Sequence, residues 1–196
     1  MRAIVVAFIF LSLPISIWAQ ADPVNSFGLI AGYGNTFILQ FPPPKNDAST
    51  DGMHSINLGV TWDHSFSRHL AFKTGLMWHE SRVKISSFSP GFELTPVYYK
   101  INLVYIPVIL KYTFLKYFSL QGGALLDGDL SANSGISSQT GIGATLGAGF
   151  SIPILKHFRA ELAPYVNLHR IWGLQKENLP SILYDNGAAL ALQFQL

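Results

Sequence analysis

The sequence predicts an all-β fold: an eight-stranded antiparallel up-and-down transmembrane β-barrel, preceded by a cleaved signal peptide. Three observations predict it. The sequence of one short turn occurs three times. The segments between the turns alternate apolar and polar side chains. Short connections between these segments alternate with long ones. A repeated hairpin turn indicates an up-and-down sheet. Short turns at one end and long loops at the other are typical of barrels that cross an outer membrane.

The repeated turn is an apolar residue, three residues centred on Arg or Lys, and a second apolar residue. Its copies are Phe66–Leu70, Phe114–Phe118 and Ile154–Phe158. Each copy lies between segments rich in β-formers, so each predicts a tight hairpin. We place these turns and both termini in the periplasm and the long connections outside the cell. The long connections are 42–53, 86–95, 131–139 and 172–182.

The first residues have the pattern of a secretory signal. A charged start at Arg2 is followed by the apolar run Ala3–Leu13 and a small residue, Ala19, at a plausible cleavage site. The apolar run is too short to cross a bilayer as a helix. We therefore assign 1–19 to a signal peptide and 20–196 to one barrel domain.

Composition narrows the class of protein. The absence of Cys excludes a lipidated Cys anchor, a disulfide scaffold and Cys-ligated zinc. Removing Arg2 with the signal peptide leaves 12 basic against 11 acidic residues, a net charge of +1, and no dense basic face suggests nucleic acid. Only 12% of residues are charged, yet no apolar run after the signal is long enough for a spanning helix. A membrane protein built from strands resolves that conflict.

The first three strands follow from alternation at a period of two residues. The first, 26–41, is expected to pair with the last strand and so close the barrel. The second, 54–66, alternates even-numbered apolar residues with polar or small odd-numbered ones. The third, 70–85, continues the pattern with Lys73 and His79 on its inward face.

The fourth strand, 96–114, is almost continuously apolar and contains Pro107. Proline removes a ladder donor and usually marks an edge or a bulge. A closed barrel has no edge, so the sequence predicts a bulge or local break near Pro107. The fifth strand, 118–130, alternates again, with Asp127 on its inward face.

The sixth strand, 140–154, alternates most clearly: its even-numbered face is wholly apolar and its odd-numbered face is glycine, Thr or Ser. A buried helix would not separate these sets at period two. The small inward face fits a narrow barrel. The seventh strand is 158–171. The eighth, 183–196, is expected to close the sheet against the first.

The turns also predict register and a polar network inside the barrel. Pairing across the first turn places Asp63 opposite Lys73, and pairing across the third places Ser151 opposite Glu161. Two interpretations of these charges are possible: a path for ions, or a plug of paired charges that fills the lumen. The plug is favoured because eight strands leave room only for side chains. The predicted network, a structural one in the periplasmic half of the lumen, consists of Asp63, Lys73, Lys111, Arg159 and Glu161.

Catalytic, metal and cofactor sites are not predicted. The six His residues show no H-x-x-x-H or H-E-x-x-H spacing, so no metal site follows from them. His79, Glu80 and Ser81 are the residue types of a hydrolytic triad, but neighbours in a strand point to opposite faces. We therefore expect no catalytic residues, no cofactor and no enzyme activity.

Aromatic residues are predicted to form two membrane-interface girdles. One lies at the repeated turns and the other near the opposite ends of the strands. The first set is Phe66, Phe114, Tyr117, Phe118 and Phe158, and the second is Phe41, Trp78 and Trp172.

One stretch resembles a known family. Leu103 to Tyr112, Leu-Val-Tyr-Ile-Pro-Val-Ile-Leu-Lys-Tyr, resembles the Tyr-Leu-Glu-Ile-Pro-Leu-Leu-Leu-Lys-Tyr signature of PorT-family outer-membrane β-barrel proteins. Gly122-Gly123 and Gly75-Leu76 are similar to that family's "aGp" and "tGl" segments. Tyr105 stands where the signature has an acidic residue. The resemblance implies a small integral outer-membrane barrel, and the named member is associated with protein secretion.

The favoured hypothesis is a non-enzymatic outer-membrane barrel with a structural or interaction role, exerted either through its four long connections or as an accessory to an envelope or secretion complex. Its expected partners are outer-membrane lipid and envelope proteins that the four long connections contact. A soluble lipocalin-like barrel that binds an apolar ligand is one alternative, and it requires an apolar lumen and a polar exterior. A lipid-modifying outer-membrane enzyme is the other, and it requires a converging His and Ser near the outer rim.

Overall fold

The computed structural model describes residues 24–40, 49–86, 88–89, 92–93, 96–131, 137–174 and 181–196. The predicted signal peptide, Phe41 and parts of all four long connections lie outside the described residues. The end of the barrel that carries the short turns 66–69, 114–117 and 156–157 is called the turn end, and the opposite end the loop end.

Within the described residues, eight strands close into a barrel, and every pairing in it is antiparallel. The ring runs β1-β2-β3-β6-β7-β8-β9-β10, and β10 returns to β1. The predicted fold class is confirmed. The strands are β1 (Val24–Gln40), β2 (Ser49–Ser65), β3 (Leu70–Ser86), β4 (Phe88–Ser89), β5 (Phe92–Glu93), β6 (Val97–Thr113), β7 (Phe118–Asp129), β8 (Gly141–Leu155), β9 (Phe158–Gly173) and β10 (Ser181–Gln195). Strands β4 and β5 form a separate two-stranded sheet.

Register follows the repeated turns. Asp63 pairs with Lys73 and Ser151 pairs with Glu161, so both predicted cross-strand pairs are confirmed. In the first hairpin the tight turn fixes the pairing directly. In the third, Leu155 rather than Ile154 pairs with Phe158, and a register shift between Pro153 and Leu155 restores the predicted pairing of Ser151 with Glu161. The seam between β1 and β10 is paired along its length, which leaves the barrel no free edge.

Strand β2 begins at Ser49, five residues before its predicted start at 54. Asp51-Gly52 has turn chemistry in sequence, but the long strand β3 offers this segment backbone partners, and Gly52 pairs with Val83. The register shifts between Gly52 and Ser55, where a β-bulge accommodates the irregularity.

Of the two outcomes predicted near Pro107, the bulge is wrong, whereas the local break is found on the side of β6 that faces β3. Strand β6 runs through Pro107, which pairs with Leu125 of β7 in unbroken register. On the β3 side the pairing passes from Thr74–Val108 to Met77–Tyr105, and the register is the same on both sides. The missing amide proton therefore interrupts the ladder locally without shifting the strands.

The exterior of the barrel is apolar. Each barrel strand exposes at least one Leu: Leu29, Leu58, Leu76, Leu110, Leu120, Leu146, Leu162 and Leu190. This surface is the reverse of what the soluble lipocalin-like alternative requires. A closed barrel with an apolar outer face and a polar lumen suits a bilayer.

Aromatic side chains gather at the turn end, where Phe118 packs on Phe150 with ring centroids 5.0 Å apart and Phe158 packs on Phe194 at 5.2 Å. At the loop end, Trp172 is exposed next to the end of β9. Trp78, which was expected at that end, lies in the middle of β3 and is only partly exposed. The expectation for Trp78 is wrong, because residue 78 is central both in the predicted strand 70–85 and in β3.

The glycines on the inward face of β8 are expected to be intolerant of larger side chains. A Cβ on Gly149 would lie 2.6 Å from Ser119 Oγ and 3.0 Å from Glu161 Oε1. Gly149→Val should therefore destabilise the folded barrel by about 1–3 kcal/mol through overpacking. Urea unfolding in lipid vesicles measures the change. Ala148→Val, one residue away on the exposed face, is the matched control; an equal loss for both variants would contradict the assignment of faces.

Candidate functional site

The lumen near the turn end contains a cluster of buried charges. Glu161 on β9 is fully buried, and its Oε1 lies 3.6 Å from the Nζ of Lys73 on β3. The Nζ of Lys111 on β6 pairs with Glu161 Oε2, which also accepts a hydrogen bond from Ser151 Oγ at 3.3 Å. One carboxylate thus joins two lysines from strands that are not its neighbours in the ring.

Asp63 lies at the edge of this cluster. It is the register partner of Lys73, but its hydrogen bond comes from Gln193, whose Nε2 donates to Asp63 Oδ2 at 2.9 Å. Arg159 lines the cavity beside it. We call Asp63, Lys73, Lys111 and Glu161 the turn-end ion cluster; the structure brings these four predicted residues together in one layer of the lumen.

Below the turn-end ion cluster the lumen widens into a cavity of about 350 Å³ at the turn end. Basic side chains from three places line it: Arg68 and Lys116 from two short turns and Arg159 from β9. Above the cluster lies an apolar layer in which Met77, Tyr105 and Leu125 are buried against one another. A cavity of only about 70 Å³ remains there, so the middle of the lumen is filled by side chains.

A second polar cluster lies toward the loop end. His79 on β3, His169 on β9 and Asp185 on β10 are all fully buried, and one ligand atom from each lies within 4.8 Å of the others. The two imidazole rings are 5.4 Å apart between centroids. We call these three residues the histidine cluster.

Hydrogen bonds from β1 and β2 hold two members of the histidine cluster, Asp185 and His79, in place. Asp185 Oδ1 accepts from Ser55 Oγ at 2.5 Å and from Thr36 Oγ1 at 3.3 Å, and its Oδ2 accepts from Asn57 Nδ2 at 3.1 Å. The His79 Nδ1 is 3.0 Å from Asn57 Oδ1. These partners are polar but uncharged, and they lie on β1 and β2.

A β-bulge in β9 turns Arg170 inward beside His169. The pairing with β8 shifts register between Ile142 and Ala144, and Arg170, on the facing stretch of β9, adopts a left-handed backbone with φ of 56°. Because of this bulge, the consecutive residues His169 and Arg170 are both buried. Bulges often re-aim a side chain in this way.

An apolar layer closes the lumen on the loop-end side of the histidine cluster. Five buried side chains from four strands form it, and we call them the apolar cap: Ile38, Val83, Ile101, Leu103 and Leu183. The lumen is thus a stack of an open basic cavity, an ion-paired layer, an apolar layer, a polar histidine layer and an apolar cap.

The histidine cluster was not predicted from the sequence, although part of the signal was present. Residues an even number of positions apart in a strand point to the same face. His79 therefore shares the inward face of β3 with Lys73, His169 shares that of β9 with Glu161, and Asp185 shares that of β10 with Gln193. The search for short metal-binding spacings could not find them, because three different strands contribute them.

The residue types of a hydrolytic triad do not converge at His79. Glu80 points outward, where it pairs with Lys100 at 2.9 Å, as the period of the strand predicts. Ser55 donates its proton to Asp185 rather than to an imidazole. In the described part of the chain, His79 and Ser81 are both buried.

The described residues contain no helix with the length and apolar character needed to cross a membrane.

Comparison with known proteins adds a fold but no family. No protein-family model matches the sequence, and no curated protein matches it. The outer membrane protein OprG from Pseudomonas aeruginosa is similar in structure, with a TM-score of 0.52 at 12% identity over 90% of this chain and 97% of that one. This likeness shows the fold of an outer-membrane β-barrel, in agreement with the apolar exterior.

Two further structures are more distant. The N-terminal β-barrel domain of Pseudomonas aeruginosa OprF gives a TM-score of 0.45 at 13% identity, covering 87% of this chain and 97% of that one. Ail, the attachment invasion locus protein of Yersinia pestis, gives 0.40 at 14% identity, covering 85% and 98%.

Proposed function

We propose that the protein is a closed, non-conducting and non-enzymatic outer-membrane barrel that acts through contacts made at its loop end. The observation that carries the proposal is the filled lumen. Solute entering from the turn end would meet the turn-end ion cluster, and solute entering from the loop end would meet the apolar cap. An eight-stranded barrel has room inside only for side chains or one small ligand.

The loop end is the part of the molecule that is left for specific contacts. The short turns repeat one design, whereas the connections 42–53, 86–95, 131–139 and 172–182 differ in length and sequence. The two described ends of the connection 131–139 are held together: Asp129 accepts hydrogen bonds from the backbone N–H groups of Ser131 at 2.8 Å and Gln139 at 2.7 Å.

Burial supports the non-enzymatic part of the proposal. The imidazoles of His79 and His169 are enclosed between the central apolar layer and the apolar cap. A lipid or peptide substrate approaching from either end would have to displace a packed layer to reach them. A general base must come within hydrogen-bond reach of the proton that it abstracts.

The resemblance of Leu103–Tyr112 to the PorT-family signature supports an accessory role in an envelope or secretion complex. In the structure, the Lys111 of this stretch pairs with Glu161 across the lumen. Tyr105, at the position of the signature's acidic residue, instead donates its hydroxyl proton to Asn57 Oδ1 at 3.2 Å. The stretch therefore supplies the interior packing, and the contacts with partners are assigned to the loops.

Conductance in planar bilayers tests the proposal. Protein whose folding is verified by heat-dependent gel migration should give no unit current steps under conditions in which a general porin, measured alongside, gives them. Regular current steps from the folded protein would overturn the closed lumen. The lipid A of a deletion strain should have an unchanged mass spectrum, and a lost modification would overturn the non-enzymatic assignment.

A further inference from the structure

We propose that His79, His169 and Asp185 bind one divalent transition-metal ion of the zinc type inside the barrel. One potential ligand atom from each residue lies within 4.8 Å of the other two, and all three side chains are fully buried. Side-chain adjustments that include the His79 ring, whose Nδ1 lies 3.7 Å from Asp185 Oδ2, would bring such donors to the 2.0–2.2 Å at which imidazole nitrogen and carboxylate oxygen ligate zinc. The proposal stands on this geometry and is independent of the role assigned to the loops.

The hydrogen bonds of His169 leave its other ring nitrogen ready to ligate. Its Nδ1 lies 2.9 Å from Asp127 Oδ1. An ionised carboxylate only accepts hydrogen bonds, so the Nδ1 must carry the proton. In the neutral imidazole, which is the form that ligates a metal, Nε2 of His169 is then the nitrogen that carries the lone pair. A carboxylate that orients a ligating imidazole through its far nitrogen is a common feature of metal sites.

His79 reaches the same state through Asn57. The amide orientation of Asn57 is fixed because its Nδ2 lies 3.1 Å from Asp185 Oδ2, which needs a donor. The Asn57 Oδ1 that faces His79 Nδ1 at 3.0 Å is consequently a carbonyl oxygen, and the Nδ1 donates to it. His79 also keeps its lone pair on Nε2.

Both of these lone pairs are buried. Among the described residues, neither His79 Nε2 nor His169 Nε2 has a hydrogen-bond partner. A buried acceptor without a donor costs about 1–3 kcal/mol. A neutral His79 also leaves the buried carboxylate of Asp185 with hydroxyl and amide donors on β1 and β2. A bound cation would satisfy both nitrogens and compensate the carboxylate.

The donor set selects the class of metal. Two imidazoles and a carboxylate suit Zn²⁺, Co²⁺, Ni²⁺ or Cu²⁺, whereas Mg²⁺ and Ca²⁺ prefer oxygen ligands alone. The apolar cap and the central apolar layer enclose the site, so the ion is structural. It is acquired when the strands close around it and exchanges slowly afterwards.

Refolding with and without metal tests the proposal. The unfolded protein is refolded into detergent with Zn²⁺ or with a chelator, desalted, and analysed for metal and for thermal stability. Folded wild-type protein should retain about one Zn²⁺ per chain and unfold at a higher temperature than chelator-refolded protein. Co²⁺ in place of Zn²⁺ should give the visible absorption of a nitrogen- and oxygen-ligated ion, and Mg²⁺ should have no effect.

Variants separate this site from adventitious binding. His79→Gln with His169→Gln should abolish retention of Zn²⁺, and Asp127→Asn should weaken binding about 10–100-fold by removing the orienting carboxylate. His157→Ala, at an exposed turn, is the matched control and should retain the ion. If the double variant does not fold, the Co²⁺ spectrum of the wild type serves as the test of whether the site binds metal. Refolded wild type that retains no more Zn²⁺ than the double variant, or that gives no Co²⁺ spectrum, would overturn the proposal.

Discussion

Glu161→Gln should lower the free energy of unfolding by about 3–5 kcal/mol, because it leaves two buried ammonium groups without their shared carboxylate. The Nζ of Lys73 is 3.6 Å from Glu161 Oε1 and the Nζ of Lys111 pairs with Oε2, all in side chains at most 7% exposed. Glutamine keeps the volume and a carbonyl oxygen, so the loss reports the charge. Urea unfolding in lipid vesicles, followed by tryptophan fluorescence and gel migration, measures it.

Two controls make this prediction specific. Glu80→Gln removes a carboxylate from an outward-facing pair with Lys100, whose side chain is 52% exposed, and we expect a change of at most about 1 kcal/mol. Adding Lys111→Met to Glu161→Gln should recover part of the stability, since it removes one of the two uncompensated charges. Equal losses for the two glutamates, or no recovery in the double variant, would count against the turn-end ion cluster.

The second large effect is expected on the outer surface. Leu146→Arg should destabilise the barrel by about 2–4 kcal/mol in a bilayer, because Leu146 lies near the bilayer midplane on the lipid face. Its side chain is 68% exposed. It lies midway along β8 between Phe150, which packs in the aromatic group at the turn end, and Ile142, the register partner of Trp172.

Leu155→Arg is the matched control for depth. Leu155 is on the same strand and is 65% exposed, but it adjoins the short turn at 156–157. The same substitution there should cost only about 0–1 kcal/mol, since the position lies near the interface. In a soluble barrel both changes would be tolerated alike, so equal and small effects would contradict the membrane-embedded exterior.

The fold was predictable because it depends on local signals. Alternation at period two assigns each residue to a face, and the tight turn between β2 and β3 fixes the register of that hairpin, so Asp63 could be placed opposite Lys73 from the sequence. The local break at Pro107 was predictable from the missing amide proton, whereas the bulge predicted as the other outcome does not form. In β6 the pairing to β3 is interrupted there, and the register is kept.

The interior was less predictable because ring closure decides which inward residues meet. Register placed Lys73 beside Asp63, but its ion pair crosses the lumen to Glu161 on β9. The histidine cluster draws on β3, β9 and β10, and the bulge beside it, which turns Arg170 inward, has no glycine in β9 at that position to signal it. Neither distance across a lumen nor a bulge at an Arg can be obtained from the spacing of residues along the chain.

The ion pairs that cross the lumen also constrain the order of assembly. Lys73 and Glu161 lie on β3 and β9, which do not adjoin in the ring, so hairpins that form early cannot bring them together. Until β1 and β10 join, the charges on the inward faces must stay in contact with water, because lipid would impose their full desolvation cost. An open sheet is therefore unstable in the bilayer, and insertion of the strands and closure of the barrel should occur as one cooperative event.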